Sequence, residues 1–84
     1  MSNTLDETID GMLSKDYKER LKAEYRQLII RLERLDTIID DYNYYVIKYL
    51  DISSLKILKE QRYAMDLYKK ALEVRAEYEG INLD

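Results

Sequence analysis

Leu21, Tyr25, Leu28, Leu32, Leu35, Ile39 and Tyr42 follow one another at alternating spacings of four and three. Such a seam lies on one face of an α-helix and repeats every seven residues. Ile29 and Ile38 widen the stripe on one side. No Gly or Pro interrupts residues 15–41. The spacing therefore predicts a helix over about 15–42, close to 40 Å long at 1.5 Å per residue.

Residues 43–53 break the pattern. They read Asn-Tyr-Tyr-Val-Ile-Lys-Tyr-Leu-Asp-Ile-Ser, a mixture of aromatic and β-branched residues that favours extended backbone. This stretch is expected to be a connector, although Tyr42, Tyr45 and Tyr49 also fit helical spacing. Asp51, Ser53 and Ser54 offer N-caps for a second helix over about 54–79. Its expected apolar stripe is Ile57, Leu58, Ala64, Met65, Ala71, Leu72 and Tyr78, with Ala64 and Ala71 small enough to let a partner helix approach closely. Gly80 suits a left-handed C′ position, and Ile81 is the hydrophobic residue that follows in a Schellman cap.

Residues 1–14 form a leader. Thr4 to Glu7 has capping-box spacing, so a short helical turn is expected over 5–13, weakened by Gly11. Ser14 precedes Lys15-Asp16-Tyr17 as an expected N-cap of the long helix. Residues 15–84 then make an antiparallel two-helix hairpin. The fold class is all-α. Two helices alone cannot cover both stripes, and Ile30 lies off the seam with no partner inside the hairpin. Chains this small often need metals, disulfides or assembly. A homo-oligomeric helical bundle is the expected form.

Composition narrows function. The 84 residues include no His, Cys, Pro, Trp or Phe, only two Gly, and nine Tyr. Thiolate or imidazole metal sites, disulfides, thiol nucleophiles and histidine bases are excluded. Asp40 and Asp41 are adjacent on a helix and point about 100° apart, so they form no catalytic dyad. No Gly-rich phosphate loop is present. The chain is expected to be neither an enzyme nor a cofactor protein, with no metal site.

The net charge of -3 argues against duplex nucleic acid as a partner. No apolar run approaches the roughly 18 residues of a membrane span. The acidic start argues against a signal peptide, so an intracellular place is expected. Charge position says more than net charge. Residues 15–34 hold seven basic and four acidic residues, and residues 55–70 hold five and two. An antiparallel hairpin is expected to bring Arg26, Arg31 and Arg34 level with Lys56, Lys59 and Arg62. Salt-bridge lacing, such as Arg20 with Glu24 and Lys56 with Glu60, competes with a site for a small anion. Gln61, Tyr68 and Arg75 recur every seven residues as a polar strip beside the stripe.

Among the tyrosines, Tyr25, Tyr42 and Tyr78 fall on stripes and read as core. Tyr44, Tyr45 and Tyr49 cluster in the expected connector and suit a protein partner. Tyr17 stands alone at the start of the long helix, where a ring can stack on a base while helix amides meet phosphate.

Asp16-Tyr17-Lys18-Glu19-Arg20 with Glu24-Tyr25 and the leucine seam resembles the first helix of small phage hairpin proteins related to a crAss-like phage protein. Leu58-Lys59-Glu60-Gln61, Ala64-Met65, Leu72-Glu73-Val74-Arg75-Ala76-Glu77 and Glu79-Gly80-Ile81 resemble their second helix, so the likeness spans residues 16–81. The hairpin is also similar to phage anti-CBASS sponge proteins, oligomers that sequester cyclic oligonucleotide immune signals. That resemblance implies Tyr17 as the stacking residue and Arg75 as the second-helix arginine. The sponges' phosphate-binding basic residue falls in register on Leu32, which makes Arg31, beside it, the substitute. The implied function is phage anti-defence in the host cytoplasm, by sequestering a cyclic oligonucleotide or cyclic ADP-ribose type molecule without hydrolysis. The alternative is an anti-CRISPR-like inhibitor that docks on a host protein through Tyr44, Tyr45 and Tyr49.

Overall fold

The computed structural model describes residues 4–49 and 53–83, with side chains described over 4–44 and 53–83. A 3-10 turn at Asp6–Thr8 leads into α1 (Ile9–Leu13), then α2 (Tyr17–Tyr49) and α3 (Ser53–Glu79). α2 and α3 pack as a hairpin. No described helix is long and apolar enough to cross a membrane.

α2 starts where its cap allows. The Asp16 carboxylate accepts the backbone N–H of Lys18 at 2.9 Å, and Ser14 Oγ accepts that of Asp16 at 3.1 Å. Asp16 is therefore the N-cap, and Ser14 holds the cap in place from one step earlier. The helix then runs 33 residues, about 50 Å, through the stretch expected as a connector. That expectation is corrected as far as Tyr49. The local β preference of Tyr, Val and Ile yields to a helix already propagating, where each added residue gains a hydrogen bond. Residues 50–52, Asp51 among them, lie outside the described residues.

The seam of α2 packs as its spacing predicts. Leu21, Leu28 and Leu32 form one core cluster with Leu72, Ala76 and Ile81, and Tyr25 packs at its edge. Leu35 and Ile39 form a second with Leu55, and Tyr42 and Leu58 pack against it. Met65 joins both. Leu21 and Leu72 are 1% and 0% exposed, each gaining roughly 1.5–3 kcal/mol from burial.

The expected stripe of α3 merges two faces, and this is the largest correction. Leu58, Met65 and Leu72 turn inward with Leu55 and Ala76. Ile57, Ala64, Ala71 and Tyr78 are exposed, Tyr78 to 91%. Each precedes an inward position by one residue or follows it by six, which turns it about 100° around the helix. The two sets look like one wide stripe only on paper.

The end of α3 follows its prediction. Gly80 has φ 68°, the Gly80 N–H donates to the Glu77 carbonyl at 3.2 Å, and the Ile81 N–H donates to the Ala76 carbonyl at 2.8 Å. This is a Schellman cap, and Ile81 folds back onto Ala76 within the core.

The leader packs on the back of α2. Thr8 is 1% exposed; its hydroxyl donates to the Leu5 carbonyl at 2.6 Å and accepts from Gln27 Nε2 at 2.9 Å. Gly11 makes the approach possible, because a Cβ there would stand 2.8 Å from Ala23 Cβ. The glycine that weakens a five-residue helix is what lets it dock. Ala23, Gln27 and Ile30 lie on this face at helical spacing, and Ile30 is 5% exposed. The expectation that Ile30 has no partner within the chain is corrected accordingly.

Candidate functional site

The first turn of α2 and the last turns of α3 meet at the open end of the hairpin. The Tyr17 hydroxyl donates to Glu79 Oε2 at 3.0 Å and accepts a short hydrogen bond from Arg75 Nη2. The Arg20 and Arg75 guanidinium carbons each lie 5.9 Å from the centre of the Tyr17 ring. Both are within cation–π range. Arg20 reaches this position by donating from Nη1 to the Ser14 carbonyl at 2.9 Å, not by pairing with Glu24. The Tyr17 hydroxyl, then the Glu24 and Glu79 carboxylates, hold the Arg75 guanidinium above its ordinary range, so it stays charged. Arg75 has five N–H donors and spends one on Tyr17, which fixes the fork and leaves the others for an incoming acceptor.

Tyr17 and Arg75 are therefore neighbours. Arg31 is elsewhere. It lies fourteen residues along α2 from Tyr17, about 21 Å. There it lines a groove of about 190 Å³ with Arg34, Leu35, Ile38, Gln61 and Met65.

The expected level of the basic zone is also shifted. Tyr25 donates to Glu73 at 2.7 Å, and Arg62 reaches Asp36 at 2.7 Å. These contacts fix a register in which Arg26 sits beside Leu72, while Lys56 and Lys59 sit beside Tyr42 and Ile39. Lys56 and Lys59 line a separate open groove of about 520 Å³ with Leu55, Glu60 and Tyr63. Arg62 is drawn into an ion-pair chain with Asp36, Asp66 and, through Asp66, Lys70. Asp36 holds the Arg62 guanidinium above its ordinary range, and Lys70, then Arg62, hold the Asp66 carboxyl below its own.

A family model described as Sequestin matches residues 15–78. The chain belongs to the Sequestin family. The Sequestin span begins two residues before Tyr17 and takes in Arg20, Arg31 and Arg75, while the leader lies outside it. The name fits a protein that holds on to a ligand. No curated protein and no solved structure matches the chain.

Two members of the open-end cluster escape sequence reasoning. Arg20 follows Tyr17 by three residues on the same helix face, and that spacing was the available signal. Glu79 is found only by noticing that an antiparallel partner's last turn lies beside the first turn of α2. Tyr44 is 64% exposed, on the helix and not in a loop. Tyr45 and Tyr49 fall outside the described side chains.

Proposed function

We propose that this Sequestin-family chain is a phage anti-defence protein of the host cytoplasm that binds and sequesters a cyclic nucleotide immune signal, of the cyclic oligonucleotide or cyclic ADP-ribose type, without hydrolysing it. The observation that carries this reading is the Tyr17 ring, 40% exposed, with two guanidinium groups at 5.9 Å. A nucleobase stacks on such a ring, while Arg75 and Arg20 supply charge-assisted donors to phosphate oxygens. A chain with neither His nor Cys suits holding a signal better than cleaving it. Arg31, about 21 Å away in its own groove, is too far to share a ligand stacked on Tyr17 of the same hairpin, and its phosphate contact belongs to a separate site.

Calorimetry against a panel of cyclic di- and trinucleotides and cyclic ADP-ribose isomers tests the reading. At least one member binds, and the ligand is recovered intact. Tyr17→Ala weakens that binding by about 10- to 100-fold, the size of one lost base–aromatic stack. Absence of heat with every member of the panel would falsify the proposal.

A further inference from the structure

The outer face of α3 carries a second heptad seam that nothing inside the hairpin covers. Ile57, Glu60, Ala64, Leu67, Ala71, Val74 and Tyr78 recur at spacings of three and four. All are exposed, including Ile57 at 64%, Leu67 at 50% and Val74 at 65%. The inward face uses Leu55, Leu58, Met65, Leu72 and Ala76, turned about 100° or more away around the same helix. An amphipathic helix of a hairpin needs one apolar face. This one has two.

We propose that the outer seam of α3 is the docking face for α3 of a second copy of this chain, packed antiparallel. Ile57 then meets Val74 of the partner subunit, and Ala64 meets the partner's Leu67. Small opposite large lets the axes approach closely, as coiled-coil packing requires. In this register Ser53 lies opposite Tyr78 of the partner subunit, so the two copies of α3 overlap from end to end.

Among pairings that overlap along the whole seam, the flanking charges favour this arrangement. Along one edge Lys56 faces the partner's Glu77 and Tyr63 faces the partner's Lys70, each pair occurring twice by symmetry. Along the other edge Gln61 faces the partner's Tyr68, and Arg75 faces Ser54 of the partner subunit. Sliding one heptad in either direction sets Lys70 against the partner's Lys70, or Lys56 against the partner's Lys70. A parallel pairing sets Lys70 against Arg75 of the partner subunit. Like charges at these positions oppose the one-heptad slides and the in-register parallel pair, and the arrangements that escape them give up at least a heptad of the seam.

The face shares Arg75 with the proposed ligand cluster, but Leu67, Lys56 and Glu77, on which its test rests, lie outside that cluster. Sedimentation and native mass spectrometry of the wild-type chain are expected to show dimers or assemblies built from them. Leu67→Glu abolishes the pairing while circular dichroism keeps its helical signal, because residue 67 is exposed in the isolated hairpin. Lys56→Glu weakens dimerisation roughly tenfold, and adding Glu77→Lys restores it to within about threefold, as a paired charge reversal should. Lys56→Cys combined with Glu77→Cys forms a covalent dimer on oxidation. These two positions lie about 31 Å apart within one helix and cannot link internally. A monomeric wild type overturns the proposal. So does an unchanged assembly in Leu67→Glu, or failure of the cysteine pair to cross-link.

Discussion

At the open end of the hairpin Leu21 and Leu72 are 1% and 0% exposed, whereas Ile39 and Leu55, toward the connector, keep 8% and 7%. The open end also has the Asp16 cap, the Schellman turn at Gly80, the docked leader and the Tyr17–Arg75–Glu79 hydrogen bonds. The connector end has its apolar cluster and the Arg62–Asp36 pair at its inner boundary. One seam thus feeds two regions of different order. Where the chain spends capping and cross-helix hydrogen bonds is where the candidate site sits, because a binding cluster needs its side chains held before a ligand arrives.

The strongest way to break this comparison is to truncate each cluster in turn. Leu72→Ala is expected to destabilise the chain by about 2–5 kcal/mol in urea unfolding, with Leu55→Ala near the bottom of that range. A larger loss at Leu55 would invert the ranking of the two ends. Gly11→Ala comes next. The new methyl meets Ala23 Cβ, which has no rotamer to move away, and the gain in helix propensity of about 1 kcal/mol offsets only part of that. A net loss of about 1 kcal/mol is expected, with faster amide exchange across residues 6–13; unchanged protection there would mean that the close approach does not hold the leader.

Tyr17→Phe is a finer probe. It removes both hydroxyl hydrogen bonds but keeps the ring, so stability should fall by under about 1 kcal/mol. Ligand stacking should survive, while the Arg75 donors lose their orientation. Affinity falling as far as in Tyr17→Ala would show that the hydroxyl, not the ring face, is what matters. The smallest effect is a pH dependence. Lys70 and Arg62 depress the Asp66 carboxyl below its ordinary value of 3.8 in the folded chain. Its stabilising contribution is therefore present above 3.8 and disappears as the pH falls through the lower folded-state value. Thermal melts of wild type and Asp66→Asn should converge on that acid side. Curves that stay parallel through it would remove Asp66 from the ion-pair chain.

The α2 seam and the Gly80-Ile81 cap were legible because each is set by local spacing and by residues with one conformational role. The faces of α3 were not, because two seven-residue repeats one step apart give the same count of apolar residues. Residues 43–49 misled through their β propensity, which says little once a helix is extending from a packed seam. Ile30 required knowing that the leader folds back, a contact between residues distant in sequence. At the site, Tyr17 and Arg75 were reached by resemblance and sit together, while Arg31, reached by the same route, lines another groove. Helical spacing gives position along an axis, and a pocket needs the partner's register as well.

The Tyr17–Glu79 hydrogen bond spans 62 residues of sequence, and the Tyr17–Arg75 bond spans 58. Closing so long a loop costs more entropy than pairing residues near the turn, so hairpin contacts form in order of increasing separation. The Tyr17 cluster accordingly completes late in folding. A partly zipped chain is helical yet lacks the assembled Tyr17 cluster, so whatever that cluster does belongs to the finished hairpin alone.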